Sequence, residues 1–207
     1  MTIRATVPTG DHSVAFSNAI PSPDDPRLEL SRFLESEGLR EAIDLGLRGV
    51  AGDFGRESEE FARAGMAALE GWQVRPSRAI SRFGSISPRT RILRITSLDC
   101  SPEARRDTIL HEVAHILTAA LVTKHEKHGP DWQRIASALG AHPRSRGEDE
   151  RFRVAAQVIR DTRLKVVARC EGCGFEIKRM RRSHRRWSRF VHRPCGGRLR
   201  AVDPGPM

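Results

Sequence analysis

The sequence predicts an α+β protein: helices in the N-terminal half, a short β-region, a long helix, and a separate β module at the C-terminus. Three observations predict it. Helical periodicity runs from Leu28 to about Gly71. Residues 72–98 then alternate apolar and basic side chains, cut by Pro and Gly. Near the end, Cys170-x-x-Cys173 and His192-x-x-Cys195 bracket a short basic segment, as in a small metal-bound β ribbon.

The elements follow in order. Residues 1–27 (TVPTGDHS, PSPDDP) have no lasting periodicity and are expected to be loosely ordered. LELSRFLESEGLREAIDLGLRGV reads as helix broken near Gly38, and RESEEFARAGMAALEGW as a helix that puts Phe61, Met66 and Leu69 on one face and stops at Gly71. Around Ile80, Ile92, Leu93 and Ile95 two or three short strands are expected. SPEARRDTILHEVAHILTAALV is the strongest helix: Ser101 suits the N-cap, Pro102 the first helical position, and Glu103 the positive end of the dipole. DWQRIASALG is a shorter helix with Asp131 as candidate cap and Gly140 as stop, and RFRVAAQVIRD a further helical candidate.

Charge is unevenly placed. The chain has 207 residues and a net charge of +10. Residues 151–207 hold 16 Lys and Arg against 4 Asp and Glu, whereas the first 150 hold 20 against 22. A near-neutral body with a strongly basic end points to a polyanion partner, most often nucleic acid. Mean hydropathy is −0.48, and no run approaches the ~18 consecutive apolar residues of a membrane span. The N-terminus has no apolar signal region, so a cytoplasmic location is expected, nucleoid-associated in a bacterial cell. Cys100 stands alone and reads as a small buried apolar residue.

The stretch HEVAHILTAALVTKHEKHGPDW carries the first candidate site. Positions four apart lie on one face of a helix, so His111 and His115 can point two imidazoles at one ion. Glu112, ~100° further round the axis, can reach a water bound to that ion and act as acid and base. Catalytic zinc needs a third protein ligand and one open position. The candidates are His125, Glu126 and His128. His128 is favoured because Gly129 and Pro130 make a tight turn into the next helix. The arrangement H-E-x-x-H-x-x-G-x-x-H fails, because Thr118 and Leu121 stand at its glycine and last histidine positions.

The second candidate site is a four-coordinate structural zinc held by Cys170, Cys173, His192 and Cys195, with His184 as competitor for His192. Eighteen residues separate Cys173 from His192, the spacing of a zinc ribbon. Gly174 and Gly196 let the backbone turn after each knuckle. FEIKRMR and WSRFVH are expected to pair as a hairpin. Lys178, Arg179, Arg181, Arg182, Arg185, Arg186 and Arg189, with Trp187 and Phe190 interleaved, are candidate nucleic-acid contacts through phosphate pairing and base stacking, Trp187 being equally readable as a packing residue on the hairpin. No sequence-reading motif is visible, so binding without sequence specificity is expected.

HEVAH followed by HGPDW, RDTILHEVAH, and the β-region GWQVRPSRAISRFGSISPRTRILRITSL resemble the SprT-like metalloprotease family, which includes the Spartan proteases. The resemblance covers about residues 58–200. The expected organisation is a small catalytic domain, zincin-like by that resemblance, over 28–141 (its helices to about residue 55 not covered by the resemblance), a linker over 142–164, a basic zinc ribbon over 165–202 and a flexible tail over 203–207. The resemblance implies His111, His115 and His128 as zinc ligands and Glu112 as catalytic acid/base. Relatives usually have cysteine where this chain has His192. The expected function is a zinc-dependent endopeptidase that cleaves proteins bound or crosslinked to DNA, the ribbon binding single-stranded or distorted DNA. The rival expectation is a non-catalytic nucleic-acid-binding zinc-ribbon protein whose HEVAH helix is structural; an intact Glu112 argues against it.

Overall fold

The computed structural model describes residues 29–122, 127–143, 148–181 and 186–202. The expectations for residues 1–27, His125, Glu126, Arg182, His184, Arg185 and 203–207 lie outside these. The described residues form an α+β structure with six α-helices and two three-stranded sheets. None of these helices is long and apolar enough to cross a membrane.

Helix α1 (Leu30–Ser36) and helix α2 (Arg40–Val50) are separated at Gly38, whose φ of +66° a residue with a Cβ adopts only with strain. Helix α3 (Ser58–Ala68) starts at Glu57, whose carboxylate accepts from the backbone N–H groups of Glu59 and Glu60. Those bonds hold its carboxyl below the usual range. Strands β1 (Gln73–Ser77), β2 (Gly84–Ser87) and β3 (Ile92–Thr96) follow. β3 is central, parallel to β1 and antiparallel to β2. Its Leu93 and Ile95 point into the core, as period-two alternation requires.

Helix α4 (Pro102–Leu121) begins as the sequence predicts: Ser101 Oγ accepts from Ala104 N at 3.1 Å, with Pro102 in the first turn. It buries Ile109, Leu110, Val113, Ala114, Ile116 and Leu117, which wrap more than one face. It is therefore covered by β2 and β3, by α3, and by helix α5 (Pro130–Ala138). Burial of each such large side chain contributes about 1.5–3 kcal/mol. Two hydroxyls inside this packing, Thr108 and Thr118, bond back to the carbonyls of Ala104 and Ala114 at 2.7 Å, so neither is left unsatisfied.

Two local expectations are corrected. Asp131 does not cap α5: Gly129 holds the cap position, Pro130 takes the first turn, and Asp131 pairs with Arg134 at 2.9 Å. Proline's fixed φ moves the helix start two residues earlier than the polar side chain suggests. In the ribbon, WSRFVH does not supply the hairpin strand. Strand β4 (Lys165–Cys170) pairs with β5 (Glu176–Arg179) and with β6 (Leu199–Ala201), while Trp187–Arg189 form a 3-10 turn.

Helix α6 (Glu150–Arg163) lies between the two sheets in sequence and leads through Leu164 into β4. Asp149 caps it, accepting from Phe152 N at 2.8 Å through Oδ1, while its Oδ2 accepts from Ser101 N at 3.2 Å. One carboxylate thus joins the starts of α4 and α6. Phe152 and Ala156 pack with Leu98, Ile80 and Phe83, and half-buried Cys100 joins this cluster.

Candidate metal centre and cleft

The first site is assembled by two helices and the turn between them. His111 and His115 project from one face of α4. His128 sits in the turn before α5 with φ of +58°, a left-handed conformation in which histidine is more common than most residues. Gln133 Nε2 donates to the His128 carbonyl at 3.0 Å and fixes the turn. Its Nε2 then lies 3.1 Å from His115 Nε2 and 3.1 Å from His111 Nε2. A tetrahedral zinc with Zn–N bonds of about 2.0–2.1 Å separates its nitrogens by about 3.3 Å. The three imidazoles therefore fit such an ion. A neutral ring carries at most one proton on Nε2, so a cation satisfies this convergence better than hydrogen bonds among the rings.

Trp132, 1% exposed, is the floor of the cluster. Its ring centroid lies 4.7 Å from that of His111, 5.1 Å from His115 and 4.5 Å from His128. Its Nε1 is buried with no hydrogen-bond partner among the described residues. Burial, followed by repulsion from His128, lowers the His111 pKa to about 4, with Asp107 opposing. Burial and then Lys127 lower that of His128. Both shifts favour the neutral ring, the form that binds a metal.

Glu112 follows His111 on α4 and is 8% exposed. Burial raises its pKa to about 7, with Arg82 pulling it back. A divalent cation among the imidazoles would oppose that shift further. The carboxylate lines a cleft of about 670 Å³ together with His111, Thr108, Gly84, the Ile80–Phe83 segment and the first turns of α6. That volume is ordinary for a ligand site. Gly84 is where β2 meets α4: a Cβ there would stand 2.8 Å from both Glu112 Cγ and Thr108 Cγ2. Sequence reasoning did not single out Gly84, Trp132 or the α6 wall. The aromatic after HGP-Asp was the one visible signal for Trp132.

The second site brings Cys170, Cys173, His192 and Cys195 together, as predicted. Cys173 Sγ and His192 Nδ1 are 3.2 Å apart, His192 Nδ1 and Cys195 Sγ 3.3 Å, and Cys195 Sγ lies 3.4 Å from both Cys170 Sγ and Cys173 Sγ. None is in a disulfide. Three thiols and one imidazole form a closed donor set suited to structural zinc. The two knuckles touch through glycine, since a Cβ on Gly197 would stand 2.6 Å from Cys170 Sγ. The Phe175 ring stacks on His192 at 4.5 Å and 5°.

Lys178, Arg179, Arg181, Arg186 and Arg189 are all exposed. Trp187 takes the packing role rather than the base-stacking one. It is 5% exposed and packs with Ala168, Cys170 and Leu199, with the Arg179 guanidinium 6.0 Å from its ring. A ring spent on the ribbon's small core offers no open face to a base. Phe175 and Phe190 are the exposed aromatics of the ribbon, at 52% and 44%.

Residues 59–158 match the model of the SprT-like family. That match supports the assignment of this span to the SprT-like family. The match begins in α3, includes the sheet, both histidine-bearing segments and α5, and ends within α6. No curated protein and no solved structure matches the chain. The SprT-like match is consistent with metallopeptidase chemistry, and the donor sets are compatible with zinc.

Proposed function

We propose that this SprT-like protein is a zinc endopeptidase that cleaves proteins bound or crosslinked to DNA, tethered there by its basic C-terminal ribbon. The observation that carries the reading is the convergence of three imidazole nitrogens beside a buried carboxylate on the wall of an open cleft.

His111, His115 and His128 would hold the catalytic ion, and Cys170, Cys173, His192 and Cys195 the structural one. When bound in the first site, zinc supplies Lewis-acid polarisation of a carbonyl and acidifies a water. Glu112 would take a proton from the attacking water and later return it to the leaving amine. Trp132 holds the three rings in place, and the close approach of Gly84 leaves the Glu112 carboxylate little room to leave the cleft wall. A buried carboxylate is costly in a site that only stabilises a fold, and Arg82 offsets only part of the burial, which favours the catalytic reading over the non-catalytic one.

The ribbon would grip DNA by phosphate contacts from Lys178, Arg179, Arg181, Arg186 and Arg189, with Phe175 and Phe190 available for stacking on unpaired bases. Tethering raises the effective concentration of the protease near DNA-bound substrates, so choice of substrate follows location more than sequence. The test is digestion of a histone by the zinc-loaded full chain, with and without single-stranded DNA. The proposal expects DNA to accelerate fragment formation, and Cys173→Ser to abolish the acceleration while leaving cleavage of a free peptide. Equal rates with and without DNA, in a chain that cuts the histone, would contradict the tethering role.

A further inference from the structure

We propose that the apolar wall of the cleft, built by Ile80, Phe83, Phe152 and Ala156, is a subsite that takes a bulky apolar side chain of the substrate next to the bond that is cut. This rests on the peptidase reading of the same cleft and narrows its substrates.

The wall is continuous with the reacting groups. Phe83 directly precedes Gly84, whose Cα lies against Glu112. Its backbone is pinned there, because its carbonyl accepts from Thr96 N at 2.6 Å. The Phe83 and Phe152 rings stack with centroids 4.0 Å apart. Phe152 and Ala156 are buried, whereas Ile80 and Phe83 are only partly so and line the cavity. A side chain entering beside Glu112 therefore meets an aromatic and aliphatic surface.

Several of the polar groups around it are engaged with one another or with the backbone. Both Asp149 oxygens accept backbone N–H groups. Arg153 binds both oxygens of Glu150 at 2.7 and 2.6 Å. Arg160 donates to Gln157 at 2.6 Å, and Asp107 accepts from His142 N at 2.6 Å. These groups are turned toward one another, and the polar side chains left over, Ser81, Arg82 and Glu148, flank the apolar wall rather than interrupt the Phe83–Phe152 stack, so the wall itself offers a ligand apolar burial. Pockets of this kind separate large from small side chains by one to two orders of magnitude in affinity.

The experiment uses two fluorescent peptides of equal length and charge, one with Leu-Phe at its centre and one with Ala-Ala. Binding to zinc-loaded Glu112→Gln is read by anisotropy, which needs no turnover. The proposal expects the Leu-Phe peptide to bind about tenfold tighter or more. Phe83→Ser should reduce that preference, as should the more peripheral Ile80→Ser if Phe83→Ser fails to fold. Cut sites made by the wild type in a denatured protein mixture, read by mass spectrometry, should show a large apolar residue at one flanking position. Tighter binding that depends on Phe83, in a chain that cuts nothing, would keep the subsite and sink the peptidase reading. Equal affinities for the two peptides, or ready cleavage without apolar preference, would overturn the subsite.

Discussion

Gly84 and Glu112 touch across the boundary between the sheet and the long helix: a Cβ on Gly84 would stand 2.8 Å from Glu112 Cγ and 2.9 Å from its Oε1. Both distances are shorter than real Cβ contacts. Gly84 has no left-handed φ to explain its identity, so space is the reason. Gly84→Ala must push the carboxylate or β2 aside. Displacement of a general base by about an ångström costs on the order of 10²-fold in rate. We expect peptide cleavage to fall by that order while circular dichroism and zinc content stay near wild type. Unchanged kcat/KM would show that Glu112 is not held in its working position by this contact.

Trp132 links stability to the metal centre. Removing a fully buried Trp costs about 3–5 kcal/mol in a packed core. Trp132→Ala should therefore lower the Tm and weaken zinc binding in chelator competition. Trp132→Phe keeps a ring under the three histidines and should retain most of the affinity. If both variants bound zinc as tightly as wild type, Trp132 would be core alone.

Asp149 predicts a pH-dependent term. Partial burial raises its pKa, but the bonds from Phe152 N and Ser101 outweigh this and hold it below its ordinary value. A carboxyl depressed in the folded state stabilises fully above its unfolded pKa of about 3.9, and that contribution is lost as pH falls through the folded value. Asp149→Ala should cost about 1 kcal/mol at pH 7, the size of a lost helix cap. In urea titrations the gap to wild type should persist at pH 5 and shrink below about pH 4. A gap independent of pH would mean that the carboxylate charge is not what caps the helices.

The ribbon should hold its own ion. Cys173→Ser is expected to lower zinc content by one equivalent per chain, leaving the three-histidine site loaded. His192→Cys should keep the metal, because four thiolates also close a tetrahedral site. Elemental analysis of the purified variants checks both.

The sequence made α4 and its two histidines legible because local signals agreed there: a serine cap, a proline in the first turn, and i, i+4 spacing. His128 was legible because Gly129-Pro130 forces a turn. What stayed hidden depends on contacts distant in sequence. The fit of Gly84 against Glu112 is set by how a strand meets a helix. The α6 wall arises from Phe152 meeting Phe83, some seventy residues earlier. Trp187 is open to two readings in the sequence, because its basic neighbours suggest a binding face while a ribbon this small needs a large ring to build any core. The WSRFVH strand failed for the same reason: Trp187 turns inward on a 3-10 turn.

The most direct measurement compares wild type with Glu112→Gln, both loaded with zinc, on a histone with single-stranded DNA, resolved on a gel. The account predicts fragments from the wild type, none from the variant, and two zinc ions per chain in each. Wild type that binds zinc and DNA yet leaves the histone intact, or a variant that cuts as well as wild type, would contradict it.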